Sequence, residues 1–163
     1  MKTAEGVKVT TFVEVAPEDA FEVFTRETDL WWRRGPRYRA DREKRSTIRF
    51  EPGEGGRLVE SVDDGEPFEI GRVLVWEPPS RLVLQWRARN FAPGEHTRVS
   101  VVFEPQNGGT RVTLEHTGWE ELRADHPVRH GLTGRAFEAM IGLWWGELTT
   151  SLRAHVTETR AKR

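Results

Sequence analysis

The sequence predicts an α+β domain in which an antiparallel sheet is followed by one long C-terminal helix. Six apolar segments separated by turn residues occupy positions 46–117, and the apolar period then changes from two residues to about 3.6. The chain has 163 residues, of which 36% are hydrophobic and 31% charged. A chain of this length buries roughly 70% of its unfolded surface around one core, so we expect a single domain over residues 1–163, with its core at about 8–155.

The N-terminal part predicts one strand and two short helices. Valines and Thr11 alternate with other residues over Val7–Val15, which is typical of a half-buried strand. Pro17 suits the first position of a helix that reaches about Arg26, and acidic residues follow it in the first turn. Asp29–Trp32 predicts a second short helix, and the polar stretch Arg33–Arg45 predicts an exposed loop.

The central third predicts a meander of six strands on short loops. Each loop contains glycine, proline, asparagine or aspartate, residues that suit tight turns. The segment 68–76 is apolar on both faces, so the pattern leaves open whether Val73 and Val75 or Leu74 and Trp76 face the core. The predicted strands are Thr47–Phe50, Arg57–Val62, Phe68–Trp76, Arg81–Arg89, Thr97–Glu104 and Thr110–Thr117.

The last third predicts a helix of about 25 residues within Leu132–Val156. Trp144 lies on its apolar stripe, and because adjacent helical residues point in different directions, Trp145 is expected at the flank or outside. By the same reasoning, Trp31 and Trp32 are expected to point in different directions, so only one of them should lie on the apolar side. The tail Thr157–Arg163 is expected to fray. The stripe consists of Phe137, Ile141, Trp144, Leu148 and Leu152, widened by Met140, Leu143 and Trp145.

Several motifs together resemble the SRPBCC or START-like superfamily, and within it the bacterial homologues of the chaperone-ATPase activator. The resemblance implies a helix-grip fold, in which a curved antiparallel sheet of about seven strands wraps around the C-terminal helix and encloses a cavity for an apolar molecule. The motifs are Val13-x-Val15-x-Pro17, Phe21-x-x-Phe24, Leu30-Trp31-Trp32, Gly71-x-Val73, Glu77-Pro78-Pro79-x-x-Leu82-x-Leu84-x-Trp86, and Thr110 to His116 with Gly118-Trp119.

The resemblance therefore predicts a carrier of a small hydrophobic ligand. His116 shares the apolar phase of its strand with Val112 and Leu114, so it should point inward and serve as the polar anchor. Tyr38 is a candidate for the entrance. We assign no catalytic residue. The predicted ligand-binding residues are Trp32, Leu84, Trp86, Val99, Val101, Leu114, His116, Phe137, Ile141, Trp144 and Leu148.

Two other functions stay open. One is an enzyme of the cyclase, aromatase or hydrolase type that uses His116 as acid or base. The other, implied by the family name, is a protein that regulates a chaperone ATPase by direct interaction. The sequence does not separate a monomer from a homodimer.

Composition argues against several other classes. The longest apolar run is Val73–Trp76, which is too short for membrane insertion, and the N-terminus lacks a signal-peptide pattern, so we expect a cytoplasmic protein. A net charge of −1 argues against a nucleic-acid partner. Without cysteine, a metal site would need histidines and carboxylates, and the spacing of His116, His126 and His130 does not suit one. We expect neither metal nor cofactor.

Overall fold

The structure is a computed structural model that describes residues 4–40, 45–63 and 65–161. It confirms the α+β helix-grip fold: one curved, seven-stranded antiparallel sheet with a long C-terminal helix across its concave face. The strand order is β1-β7-β6-β5-β4-β3-β2. The strands are β1 (Gly6–Val13), β2 (Thr47–Phe50), β3 (Arg57–Ser61), β4 (Phe68–Glu77), β5 (Arg81–Trp86), β6 (Thr97–Gln106) and β7 (Gly109–Thr117); the helices are α1 (Pro17–Arg26), α2 (Thr28–Trp31) and α3 (Gly134–Ala161).

Helices α1 and α2 close one end of the curved sheet. The Phe21 ring packs edge-on against Trp76 of β4, with ring centroids 5.3 Å apart, and it also contacts Phe103 of β6. Phe24 packs on Trp31 with ring centroids 4.8 Å apart. These aromatic contacts fill this end of the concave face.

Several segment boundaries differ from the prediction. β5 ends at Trp86 rather than Arg89, although the Arg87 amide still donates to the Ile70 carbonyl of β4 at 2.7 Å. α3 continues to Ala161, so the prediction that the tail frays from Thr157 onward is wrong for residues 157–161. Residues 162 and 163 lie outside the described part. Short 3-10 helices, Trp119–Glu121 and Pro127–Arg129, join β7 to α3. The predicted loop 33–45 includes residues 41–44, which also lie outside the described residues.

Strand β4 resolves the open question about its faces in a way that neither alternative anticipated. Val73 lies opposite Leu84 and Val75 lies opposite Val83, so Leu74 is an extra residue at a bulge. A bulge shifts the alternation of side chains by one position. Val73 and Trp76 therefore both pack on the concave side, Val73 in the buried core and Trp76 against Phe21.

The two adjacent tryptophans of α3 are oriented differently from the prediction. Trp145 is the buried one, with 6% of its surface exposed, and Trp144 is only partly buried. α3 crosses a curved sheet, so its buried face is wider than a single stripe. Leu143, expected near the stripe, is 58% exposed. Among the described residues, no helix is both long and apolar enough to cross a membrane.

Trp31 and Trp32 also depart from the prediction, because both are buried. α2 ends at Trp31, and Trp32 adopts an extended conformation with φ −70° and ψ 121°. The two side chains therefore do not follow helical geometry, and their ring centroids lie 5.5 Å apart.

Candidate ligand-binding cavity

A cavity of about 790 Å³ lies between the sheet, α3 and the loops at one end of the sheet, and it opens to the surface. Its lining combines aromatic, charged and aliphatic side chains. The aromatic lining consists of Trp32, Tyr38, Phe68, Trp86, His116, Trp119, His130, Trp144 and Trp145; the other lining residues are Pro36, Arg37, Arg39, Ala40, Glu60, Ile70, Arg87, Ala88, Arg89, Asn90, Val128, Ile141 and Leu148.

The predicted site residues divide into two groups. Six of them line the cavity: Trp32, Trp86, His116, Ile141, Trp144 and Leu148. The other five, Leu84, Val99, Val101, Leu114 and Phe137, are buried in the hydrophobic core and are not among the lining residues. Strand periodicity identifies the inward face, but it does not tell which inward positions are covered by α3 and which face the open volume.

The loop after α2 reaches the cavity because Arg39 is held inside the protein. Its Nη1 donates to Asp29 Oδ1 at 2.7 Å and to the Ser46 carbonyl at 3.0 Å, and its Nη2 donates to the Trp32 carbonyl at 2.7 Å. The Arg39 side chain is fully buried. This network ties the two ends of the loop together, and it thereby places Tyr38 at the cavity.

His116 is confirmed as an inward-facing, buried residue, and both of its ring nitrogens have protein partners. The indole Nε1 of Trp145 donates to His116 Nδ1 at 2.9 Å. Because an indole N–H can only donate, Nδ1 must accept, and the ring proton belongs on Nε2. Nε2 then donates to Thr97 Oγ1 at 2.7 Å, and the Thr97 hydroxyl donates to the Trp86 carbonyl at 3.3 Å.

Burial keeps this imidazole neutral. The apolar surroundings lower the pKa of His116 to about 3, because they disfavour the charged ring. Ring contacts surround it, with centroids at 4.3 Å from Trp119 and 4.9 Å from Trp86. At neutral pH this residue is therefore a neutral, doubly hydrogen-bonded part of the cavity lining, and a ligand would have to displace a protein partner to bond to it.

Some residues of the cavity lining were not predicted from the sequence, although the sequence pattern around one of them, Glu60, indicates an inward-facing position. Glu60 shares the inward phase of β3 with Leu58, and a carboxylate in that phase is unusual. It is buried, and its Oε1 accepts a hydrogen bond from the Ala40 amide at 2.9 Å. The segment 87–90 carried no such signal, because it reads as the end of a strand.

A second histidine near the cavity has a structural role. His126 Nδ1 accepts from the Val128 amide at 3.1 Å, and its Nε2 lies 2.9 Å from Glu95 Oε1. This pairing holds the short 3-10 helix that brings Val128 to the cavity. Within residues 4–40, 45–63 and 65–161, no group of three or more histidines and carboxylates is arranged to hold a metal ion.

Comparisons with known proteins agree with this architecture. An anthrahydroquino-gamma-pyrone synthase of known structure is 34% identical, with 71% of this chain and 77% of that chain covered and a TM-score of 0.51. The dimeric Aha1 from Colwellia psychrerythraea is 15% identical (93% and 95% covered, TM-score 0.61). An Hsp90 activator from Plasmodium falciparum is 16% identical (94% and 96% covered, TM-score 0.62). No curated protein sequence matches the chain.

The sequence also matches the family described as activator of Hsp90 ATPase homolog 1-like protein, over residues 14–140. That range runs from the end of β1 into α3 and so includes most of the sheet and most of the cavity lining. The match confirms the resemblance that the sequence motifs predicted, and the chain belongs to this family.

Proposed function

We propose that the protein binds a small, largely hydrophobic molecule in the cavity between its sheet and α3. The observation that supports this proposal is the cavity itself, because its volume of about 790 Å³ falls within the range of roughly 300–1,000 Å³ that small-molecule sites occupy. Five of the seven tryptophans line it, so the interior offers aromatic faces for stacking.

The lining is suited to binding more than to catalysis by His116. A general base must accept a proton near neutral pH, and a histidine whose pKa lies near 3 is a poor base there. Both ring nitrogens already have partners in Trp145 and Thr97. We therefore assign His116 the task of orienting Trp145 and supporting the aromatic lining.

Intrinsic fluorescence tests the proposal directly. Titration with fatty acids, flavonoids and anthraquinones should quench tryptophan emission with saturation, because most of the tryptophans surround the ligand. Trp144→Phe should reduce the amplitude of quenching. Trp76→Phe is the matched control, since Trp76 packs against Phe21 away from the cavity lining. A panel without saturable quenching up to the solubility limit would refute the proposal.

An enzyme that acts on an aromatic polyketide-like substrate is the second candidate. It is favoured by the 34% identity to a solved synthase and by the buried carboxylate of Glu60 in the lining. If Glu60 transfers a proton in such a reaction, Glu60→Gln should lower the rate by roughly 10²–10⁴-fold. Turnover of a binding-panel compound that is lost in Glu60→Gln would establish this candidate over a simple carrier.

Regulation of a chaperone ATPase is the third candidate, and it follows from family membership and from the solved Hsp90 activator. Two large hydrophobic side chains, Leu30 and Leu143, are exposed and available to a partner. The measurement is the ATPase rate of an Hsp90 with and without this protein. If the carrier proposal is right, the rate stays unchanged; a saturable increase that is lost in Leu143→Ser would favour regulation.

A further inference from the structure

The cavity residues hold most of the unpaired polar groups in the described part of the chain. Five buried side-chain polar atoms have no hydrogen-bond partner, and four belong to lining residues: Tyr38 Oη, Trp86 Nε1, Arg87 Nε and Trp119 Nε1. Indole and guanidinium groups donate and do not accept, and a phenol can also donate. These atoms are themselves inaccessible to solvent, so a ligand would reach them only if the cavity wall shifted, and such a shift would pair costly unsatisfied donors with acceptor oxygens of the ligand.

The charges at the cavity point in the same direction. Four arginines line it, and two of these are neutralised within the chain: Arg39 bonds to Asp29 at 2.7 Å, and Arg37 lies 3.7 Å from Glu147. These two pairs are complete without a ligand.

The other two arginines, Arg87 and Arg89, have no carboxylate partner among the residues that the structure describes. Arg87 is partly buried; its Nη2 donates to the Phe91 carbonyl at 3.2 Å, and its Nε is buried and unpaired. Arg89 is exposed, with its guanidinium 5.6 Å from the centre of the Phe68 ring. Both follow β5 and lie beside the aromatic interior.

The lining contains one negatively charged side chain, that of Glu60. Glu60 is buried, and it is engaged by the Ala40 amide. With Arg37 and Arg39 already paired, the uncompensated charge in the lining is that of Arg87 and Arg89, set against this single carboxylate. The polar side of the cavity therefore attracts an anion.

We propose that the ligand is an aromatic carboxylic acid whose carboxylate binds Arg87, with Arg89 adding positive charge at the mouth. This inference rests on the proposed function and specifies the class of ligand. The apolar body occupies the space among the tryptophans. A guanidinium suits this task because its planar fork matches a carboxylate in two parallel hydrogen bonds.

Isothermal titration with a matched pair of probes tests this inference. Anthraquinone-2-carboxylate carries an anion and two acceptor carbonyls, and its methyl ester keeps the ring system and both carbonyls but replaces the negative charge with a methyl group. The wild type should bind the acid at least about 10-fold more tightly than the ester, since a hydrogen bond to a charged group contributes that much or more.

Variants locate the anion site. Arg87→Met keeps the apolar stem and should weaken binding of the acid by about 10–100-fold while leaving the ester within about 3-fold. Arg87→Lys keeps the charge but loses the fork, so it should give an intermediate loss. Arg98→Met, an exposed arginine of β6 outside the lining, is the matched control and should leave both affinities unchanged. Circular dichroism verifies that each variant is folded.

The possible outcomes separate the two proposals. If acid and ester bind equally to the wild type, or if Arg87→Met weakens both alike, the carboxylic-acid inference is wrong while the carrier proposal stands. If neither probe binds and the fluorescence panel is also negative, both are wrong. A loss that is specific for the acid in Arg87→Met, with the folded Arg87→Lys variant in between, supports the inference.

Discussion

The hydrogen bond from Trp145 to His116 provides the sharpest test of how the cavity lining is held together. Trp145→Phe keeps an aromatic ring between α3 and the sheet but removes the indole N–H that Nδ1 of His116 accepts at 2.9 Å. The imidazole is fully buried, so its acceptor nitrogen is left without a partner. The unpaired acceptor costs about 1–3 kcal/mol.

The smaller ring adds to this loss. Replacing an indole by a phenyl ring removes apolar surface that is worth about 1 kcal/mol. We therefore expect Trp145→Phe to lower the free energy of unfolding by roughly 2–4 kcal/mol. Trp144→Phe is the matched control, because Trp144 is the adjacent residue on the same helix but only partly buried, and it should cost less than about 1 kcal/mol.

Equilibrium urea unfolding at pH 7.5, followed by far-ultraviolet circular dichroism, measures both losses without depending on tryptophan emission. A double-mutant cycle with His116→Leu isolates the pair, and we expect a coupling energy of about 1–2 kcal/mol for Trp145 and none for Trp144. Equal losses for the two tryptophan variants, or a coupling energy near zero, would refute the assignment of Trp145 as the donor to His116.

Three further predictions concern pH, the loop and close packing. The pKa of a histidine in the unfolded chain is about 6.5, whereas the pKa of buried His116 is about 3. The stability that neutral His116 contributes is therefore fully present above about pH 6.5, and it is lost at roughly 1.4 kcal/mol per pH unit as the pH falls toward 3. Urea melts from pH 7 to 4.5 should show a shallower slope for His116→Leu, and parallel slopes would contradict this. Arg39→Met should cost about 2–4 kcal/mol, because the Trp32 carbonyl and Asp29 each lose a hydrogen bond from a buried guanidinium, and limited proteolysis should then cleave the loop 33–45 faster; an unchanged cleavage rate would argue against the Arg39 network as its anchor. Gly71→Ala should cost about 1–3 kcal/mol in thermal melts, since a Cβ there would lie 2.5 Å from the Gln85 carbonyl oxygen, whereas Gly146→Ala in α3 meets no atom and should be neutral or stabilising.

Much of the fold could be predicted because its signals are local. The alternation over Val7–Val15, the turn residues between the later strands, and the stripe from Phe137 to Leu152 each report a period that one segment expresses by itself. Six of the eleven predicted ligand residues line the cavity for the same reason: an inward phase can be read from one strand or one helix.

Other features depend on contacts between segments that are far apart in the chain. The bulge at Leu74 appears only when β4 pairs with β5, and the orientation of Trp145 depends on His116, which lies 29 residues earlier. The core positions of Leu84 and Phe137 depend on how α3 crosses the sheet.

The sequence by itself determined the class of fold, the order of its elements and the inward face of His116. Only the tertiary structure decided which inward residues face open space and which donors remain unpaired, Arg87 among them. The physical reason is that burial and hydrogen-bond pairing are properties of packed neighbours, whereas periodicity is a property of the chain itself.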